Sequence, residues 1–520
     1  MNAWTLRKQV RQRLAEEAGA LRKEAELKIA LCYPSPYAVG MSSLGFQAIY
    51  REINLHEGAS AERAFQPDCV ADYRSSQTPV FTYESERPLG EFAIVAFSIS
   101  YELEISGIFD LLDLCGIPLL RTQRDERHPL IVAGGPLTNS NPLPLAPFVD
   151  LIVLGEAEDL IHELLDAAVS VRRADLLERF ASAPGFYAPG LSRALPSIAR
   201  ASECRLPAHS QIMTRNCVLS SMFLIEPERG CSRGCTYCVM RRTTNRGMRL
   251  VPPESVLSRI PAQARRVGLV GAAVTDHPRI KDIVRRIVES GREIGISSLR
   301  ADRLDEELVS WLARGGYRTL TTASDGASQR LRSFVDRKTT EAHLLRVAGL
   351  ARQFRLHRLK LYELIGLPTE TAGDIDELAR FSRELARIVP LSLSVAPFVA
   401  KRNTPLDGCA FEPVESLERK LARLRSALKG RAQLRSASAR WAQIEYMLAQ
   451  SGEEAGLAAM DAWRLGGGCA AWNRALLERG AKPFPGTPVP DGRRHAPPIP
   501  GRGTTSSMER SETEAGSTAP

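Results

Sequence analysis

The chain has 520 residues and a mass of 57.1 kDa, above the usual size of one domain, so two or three domains are expected. Hydrophobic residues at 44% and charged residues at 25% give a soluble globular composition, which excludes a disordered, collagen-like or fibrous chain. The net charge of +9 rests on 69 basic residues, 59 of them arginine, scattered without a block of like charges, so charge alone names no partner. The opening, MNAWTLRKQVRQRLAEEAGALRKEAELK, has the periodicity of a charged helix over 1–27 and lacks the apolar stretch of a secretory signal. No apolar run reaches about 18 residues, so no membrane span is expected and the cytoplasm is the default.

An apolar strand follows at 28–33, closed by Pro34 and Pro36, and GMSSLGFQAIYREIN reads as a helix. FAIVAFSIS, PLIVAGGP and DLIVLGEAED repeat the order of apolar run, turn and helix, which predicts a doubly wound parallel sheet over 28–170. Residues 171–215 hold more Pro and Ala and read as a connector. MFLIEPERG, VGLVGAAV, EIGISSLR, YRTLTTASDG, RLKLYELIGLP and LSLSVAPF then alternate with amphipathic helices. Six strands in that order predict a partial α/β barrel over 216–405. Residues 406–484 read as helical, and 485–520, rich in Pro, Gly, Ser and Thr, as a disordered tail.

Seven of the ten cysteines are scattered (Cys32, Cys69, Cys115, Cys204, Cys217, Cys409 and Cys469) and read as small buried hydrophobes. The other three, in ERGCSRGCTYCVM, are Cys231, Cys235 and Cys238, a CxxxCxxC pattern directly after a predicted strand. At this cysteine content chance supplies about 0.004 such triplets per chain. A structural zinc site normally takes four ligands, and His209 and His277, the nearest histidines, are far off in sequence. Three thiolates can instead hold three irons of a 4Fe-4S cluster and leave the fourth iron open to a ligand.

At these residues the chain resembles the radical S-adenosylmethionine (SAM) superfamily, whose CxxxCxΦC loop follows the first barrel strand; Tyr237 fills the aromatic position. The resemblance implies that SAM chelates the open iron. An electron from the cluster, delivered by a donor such as flavodoxin or ferredoxin, would cleave the sulfonium to methionine and a 5′-deoxyadenosyl radical that abstracts a substrate hydrogen. It also implies SAM contacts. GLVGAAVTDHP stands at the glycine-rich turn for the SAM amino group, with Gly271, Ala272 and Ala273 offering backbone groups, although it departs from the usual GGE. In SSLRADRL, Ser298 and Arg300 would meet the carboxylate or ribose, arginine being suited to a two-oxygen acceptor. Gly366, Leu367 and Pro368, with Glu370 beyond, would lie near adenine. Asp325 and Ser328 occupy the place of an acidic residue followed by Gly-Ser, with Ala327 where glycine is usual.

A parallel sheet ahead of such a barrel is similar to the layout of cobalamin-binding radical SAM proteins. YPSPYAVGMSSLGFQAIYREIN, VAFSISYEL, IVAGGPLTNSNPLPLAPFVDLIVLGEAE and SSLRADRL extend the resemblance to one largely uncharacterised group over about 28–405. What it implies is a Rossmann-like domain in which Ser98, Ser100, Gly134, Gly135 and Gly155, at strand ends, admit a flat corrin. The DxHxxG lower-ligand motif is absent and the loop 35–45 has no histidine, so cobalamin would bind without a protein imidazole on cobalt. The function implied is radical C–H functionalisation, either methylation or rearrangement. The alternatives are an RNA-modifying methylthiotransferase-like enzyme, or a non-catalytic iron–sulfur protein that binds RNA or assists assembly. Against the former, no second cysteine triplet is present.

Overall fold

The structure is a computed structural model and describes residues 1–240, 247–297 and 299–484. Ser298 and the predicted tail 485–520 lie outside the described residues.

The first half is built on a six-stranded sheet of β1 (Leu27–Tyr33), β2 (Ala59–Phe65), β3 (Ile94–Ser98), β4 (Leu130–Gly134), β5 (Leu151–Val153) and β6 (Phe186–Tyr187), in the order β2-β1-β3-β4-β5-β6. All neighbours are parallel except β5 and β6. Runs such as LKIALCY are apolar on both faces because helices cover both faces.

Three sequence expectations change here. The N-terminal helix spans Ala3–Ala15, not the whole of 1–27. Beyond it, Glu17 is drawn to the buried guanidinium of Arg63 at 2.7 Å and Ala18 pairs its backbone with Met213. These tertiary contacts outweigh the helical periodicity. The segment 171–215 is structured, not a mere connector. It contributes the helix Arg173–Phe180 and the edge strand β6, and His209 bridges antiparallel to Ile225 of the second sheet. Its partners are backbone groups, which leave little side-chain periodicity. Lastly, Cys69 and Cys204 are exposed, at a helix start and in a short turn, whereas Cys32 and Cys409 are buried.

The second half contains all six expected barrel strands. β7 (Met222–Ile225), β10 (Arg266–Leu269) and β11 (Glu293–Ile296) form one parallel group. β12 (Thr319–Ala323), β13 (Arg358–Ile365) and β14 (Leu391–Pro397) form another, joined by β15 (Gln433–Ser436). β15 falls inside the region expected to be helical. Its QLRS is too short and polar to announce a strand, and parallel pairing with β14 makes it one. The antiparallel pair β8 (Glu228–Gly230) and β9 (Met248–Leu250) brackets the cysteine segment. Of the C-terminal helices, Val414–Leu428 packs on the barrel core, while Ala439–Gln450, Glu453–Arg464 and Cys469–Glu478 return to the first sheet, where Leu448, Ala459 and Trp472 join its core. Asn141 of the first half donates to the Leu448 and Ser451 carbonyls at 2.9 and 2.7 Å. Among the described residues no helix is long and apolar enough to cross a membrane.

Arg63 is fully buried and donates to Glu17 and Glu84 at 2.6–2.8 Å, tying the chain after the first helix to the sheet edge. Replacing it strands two carboxylates in the interior. Arg63→Met is expected to lower unfolding stability by about 3–5 kcal/mol in urea denaturation. A midpoint equal to that of the unsubstituted protein would show that the two glutamates find other partners.

Candidate active site between the two sheets

The carboxyl ends of the first sheet and the start of the barrel face each other across a cleft of about 440 Å³. On one wall stand Leu31, Ala96, Ser98, Val132, Gly134, Gly135, Val153 and Gly155, with Leu44 and Ala48 of the helix Leu44–Leu55. The other wall is Glu226, Glu228, Arg229, Gly230, Val270, Gly271 and Ala272, with Met240. Gly135 has a φ of 101°, and a Cβ there would strike the Ile99 backbone, so only glycine lets the chain turn away from the cleft at this point.

Buried ion pairs join the two walls. Arg229 lies 2.6 Å from both Glu158 and Glu226, and Arg249 clasps Glu156 while donating to the Ala201 carbonyl at 2.8 Å. The Ala208 and Ala201 amides donate to Glu226 and Glu156 at 2.7 and 2.8 Å. Burial pushes the Glu226 carboxyl up, opposed by Arg229.

Glu228, beside this network, is fully buried. Its Oε1 accepts the Ala273 amide at 2.8 Å, and its Oε2 has no hydrogen-bond partner. Burial pushes its carboxyl up to about 7; the Ala273 amide opposes this, while Glu226 and Asp276 add to it. A Cβ on Gly271 would overlap Glu228 Oε1, so the turn needs glycine to pass over the carboxylate.

The cysteine loop leaves β8 and is pinned by charge. Arg233 grips Asp276 through two bonds of 2.6 and 2.7 Å. Burial alone would raise Asp276, but Arg233, Arg300 and Arg303 hold it below the ordinary carboxylate range. The Tyr237 hydroxyl donates to Asp325 at 2.7 Å, and Arg337 lies 3.2 Å from the same carboxylate and 4.0 Å from Cys235 Sγ. Asp325 has a φ of 56°, a conformation aspartate tolerates better than most residues.

Cys231, Cys235 and Cys238 are free thiols, Cys235 buried and the others partly so. Burial pushes Cys231 up and Cys238 up to about 11. Among the described residues no three His, Cys, Asp or Glu side chains are gathered around a single point for one ion. The fit to a cluster therefore rests on the donor set: three thiols within eight residues, with Arg337 beside Cys235 to offset thiolate charge.

The expected site residues separate into two groups. Ser98, Gly134, Gly135, Gly155, Gly271 and Ala272 line the cleft. Arg300 is 5% exposed, touches Asp302 at 3.2 Å, and keeps one terminal nitrogen, Nη2, without a partner. The others are engaged elsewhere. Ser100 exchanges a 2.7 Å hydrogen bond with Tyr33, and its amide donates to Glu104. Ala273 is buried with its amide on Glu228. Tyr237 and Asp325 hold each other. Ser328 caps a helix and donates to Asp374 at 2.5 Å, and Ala327 is buried next to it. The Gly366 amide donates to Glu370, itself paired with Lys420 at 2.7 Å. Sequence reading passed over Glu226, Glu228, Glu156 and Glu158. Their signal is the alternation of acids in EPERG and GEAED where apolar strands end.

Residues 45–189 match the N-terminal region of radical SAM proteins, and 225–382 match the radical SAM superfamily. The chain belongs to the radical SAM superfamily. It is similar to an uncharacterised protein of Methanocaldococcus jannaschii, 25% identical over 417 residues, which are 77% of this chain and 83% of that protein. It is also similar to an uncharacterised methyltransferase of Pyrococcus horikoshii, 24% identical over 268 residues, 49% of this chain and 58% of that one. Among solved structures, the radical SAM methyltransferase TsrM from Kitasatospora setae, with cobalamin and a [4Fe-4S] cluster bound, superposes with a TM-score of 0.49 at 15% identity, over 74% of this chain and 76% of that one. The cobalamin-dependent SAM radical enzyme OxsB, with aqua-cobalamin, gives 0.48 at 13% identity, over 69% and 52%.

Behind Asp325, Ser324 donates to Glu363, which is fully enclosed. Burial pushes the Glu363 carboxyl up to about 8 from 4.5, assisted by Asp325 and opposed by Ser324 and Arg332. Between those values the folded state holds a proton that the unfolded chain gives up. Stability therefore falls as pH rises through this window, at up to about 1.36 kcal/mol per unit from this group. Urea denaturation at pH 5 and pH 8 should show that decline, and Glu363→Gln should flatten it. An equal decline in the variant would place its origin in other groups.

Proposed function

We propose that the protein is a radical SAM enzyme that binds a 4Fe-4S cluster through Cys231, Cys235 and Cys238 and cleaves SAM reductively. The radical would serve C–H functionalisation, either methylation or rearrangement, with cobalamin held on the first sheet. The observation that carries this reading is the shared cleft. β8, which leads into the cysteine loop, and Met240, which follows it, line the same space as Gly134 and Gly135 at the ends of the first sheet. When bound, the cluster supplies the electron that breaks the sulfonium bond, and a ferredoxin or flavodoxin would supply it to the cluster.

The chain's own part is to bind, orient and exclude water. Arg300 is the residue for the SAM carboxylate, because its unpartnered terminal nitrogen is buried and needs an acceptor. Leu31, Ala96, Val132 and Val153 give an apolar floor, and Gly134, Gly135 and Gly155 bring backbone, not side chain, against a flat ring system. The paired charges along one side of the cleft fix its walls against each other. The similarity to the Pyrococcus horikoshii chain described as a methyltransferase supports methyl transfer as the outcome.

Purified and reconstituted without oxygen, the protein should carry about four irons and four sulfides, and with SAM and dithionite release 5′-deoxyadenosine. Cys235→Ala should lose both iron and product. A protein that takes up one tightly held zinc instead would overturn the reading.

The cobalamin site should lack a protein nitrogen on cobalt, since no histidine lines the cleft among the described residues and the loop 35–45 offers only hydroxyls, a phenol, a thioether and backbone. Full-length protein loaded with cobinamide, which has no nucleotide base of its own, should give a cobalt(II) electron paramagnetic resonance spectrum without nitrogen superhyperfine splitting. A three-line splitting that becomes two-line on ¹⁵N-histidine labelling would refute it.

A further inference from the structure

The first sheet has a second cavity, at the amino ends of β4 and β5, opposite the end that faces the cleft. Its volume is about 380 Å³, and Arg121, Arg124, Arg173, Asp150 and the segment 189–191 line it. β4 and β5 run parallel, so a strand length, about 15 Å at roughly 3.3 Å per residue, separates it from the cleft. The cavity is therefore outside the site described above.

Its charges do not balance. Three guanidiniums line it with one carboxylate, the only acid there among the described residues. Asp150 is already committed: it lies 3.2 Å from Arg124 and 2.7 Å from Arg173, and it accepts the Ile131 amide at 2.7 Å. Carbonyls fix both of these arginines, Phe148 at 2.8 Å for Arg124, and Asp125 and His128 at 3.2 Å for Arg173. Arg121 is different. Its side chain makes no hydrogen bond or ion pair among the described residues, and its Nε is buried, as is the unpartnered Nε of Arg124. Burial pushes the Arg124 guanidinium down, and Arg173 and Arg121 add to this against Asp150. A Cβ on Gly190 would come within 2.8 Å of Arg121 Nη2, so glycine there leaves the guanidinium room. Unpaired donors and crowded like charges both cost free energy, and one bound anion removes both deficits.

We propose that this cavity binds a phosphoryl dianion, Arg121 donating to it and Arg124 and Arg173 standing as fixed charges beside it. Two unbalanced positive charges match a dianion, and a guanidinium fork meets two oxygens of a phosphate edge at once. Leu177, Pro189 and Leu191 add an apolar rim for the carbon body of a phosphomonoester.

The test is isothermal titration calorimetry of the full-length protein at pH 8 with inorganic phosphate, ribose 5-phosphate and succinate, a dianion built of carboxylates. Phosphate should bind saturably and raise the melting temperature. Arg121→Gln should weaken binding at least about tenfold, as loss of a charge-assisted contact does, and abolish that rise. Without phosphate this variant should melt no lower than the unsubstituted protein, because the Arg121 side chain holds nothing in place. Gly190→Ala, which crowds Arg121 and keeps its charge, should also weaken binding. Tighter binding of ribose 5-phosphate than of phosphate supports the proposal and assigns the site to phosphomonoesters; equal or weaker binding supports it with the free ion as ligand. The absence of saturable binding by either overturns it. So does unchanged affinity in Arg121→Gln, which would put the ion elsewhere on the protein. A variant that melts lower without phosphate overturns it in favour of a structural arginine, and succinate binding as tightly as phosphate overturns the phosphoryl assignment.

Discussion

The molecule depends on how two arginines and three glutamates are kept dry. Arg229 and Arg249 come from the strand pair that brackets the cysteine loop, and Glu156 and Glu158 come from the end of β5 in the other sheet. Glu158 and Glu226 are buried and Arg229, Arg249 and Glu156 mostly so, so removing one member would leave another poorly compensated, and the network holds together only if both halves dock in one orientation. A weak interface of exposed residues would allow the sheets to rock. This one sets the cleft width, because Glu226 and Arg229 belong to its wall and to the lock at once.

The same device recurs around the cysteine loop at shorter range. Asp276 binds Arg233 from the loop and Arg303 from the segment after β11, with Arg300 3.8 Å away. Asp325, at the end of β12, receives Tyr237 and Arg337. The loop is therefore held from both strand groups of the barrel. Between β11 and β12 no strand pairing is seen among the described residues, so these charge contacts are a second means of registering one group against the other.

What could be read from the sequence follows from where the information resides. The buried parallel strands were legible because burial on two faces demands continuous apolar runs, as in FAIVAFSIS and LKIALCY. β15 was not, since QLRS becomes a strand only through its neighbour. Nor was the docking of the C-terminal helices on the first sheet: their apolar faces show that they pack, and not against what. At the site, glycines at strand ends were legible because their purpose is local backbone geometry. The fates of Ser100, Ala273, Ser328 and Gly366 were not, because each gives its hydrogen bond to a residue (Tyr33, Glu228, Asp374, Glu370) that no local pattern connects to it.

The glutamates of EPERG show the other side of this limit. The exit of a buried parallel strand such as β7 favours apolar residues, so Glu226, and Glu228 just beyond it at the start of β8, run against local preference and must be held by something distant. Glu226 is answered completely, by Arg229 and the Ala208 amide. Glu228, two residues on and lining the same cleft, is answered only by half: its Oε1 takes the Ala273 amide beside Gly271, and its Oε2 has no hydrogen-bond partner. A fold that satisfies one carboxylate and leaves its twin unmet has separated a structural acid from one that awaits a partner. The difference between them is created by the turn at Gly271, one strand away.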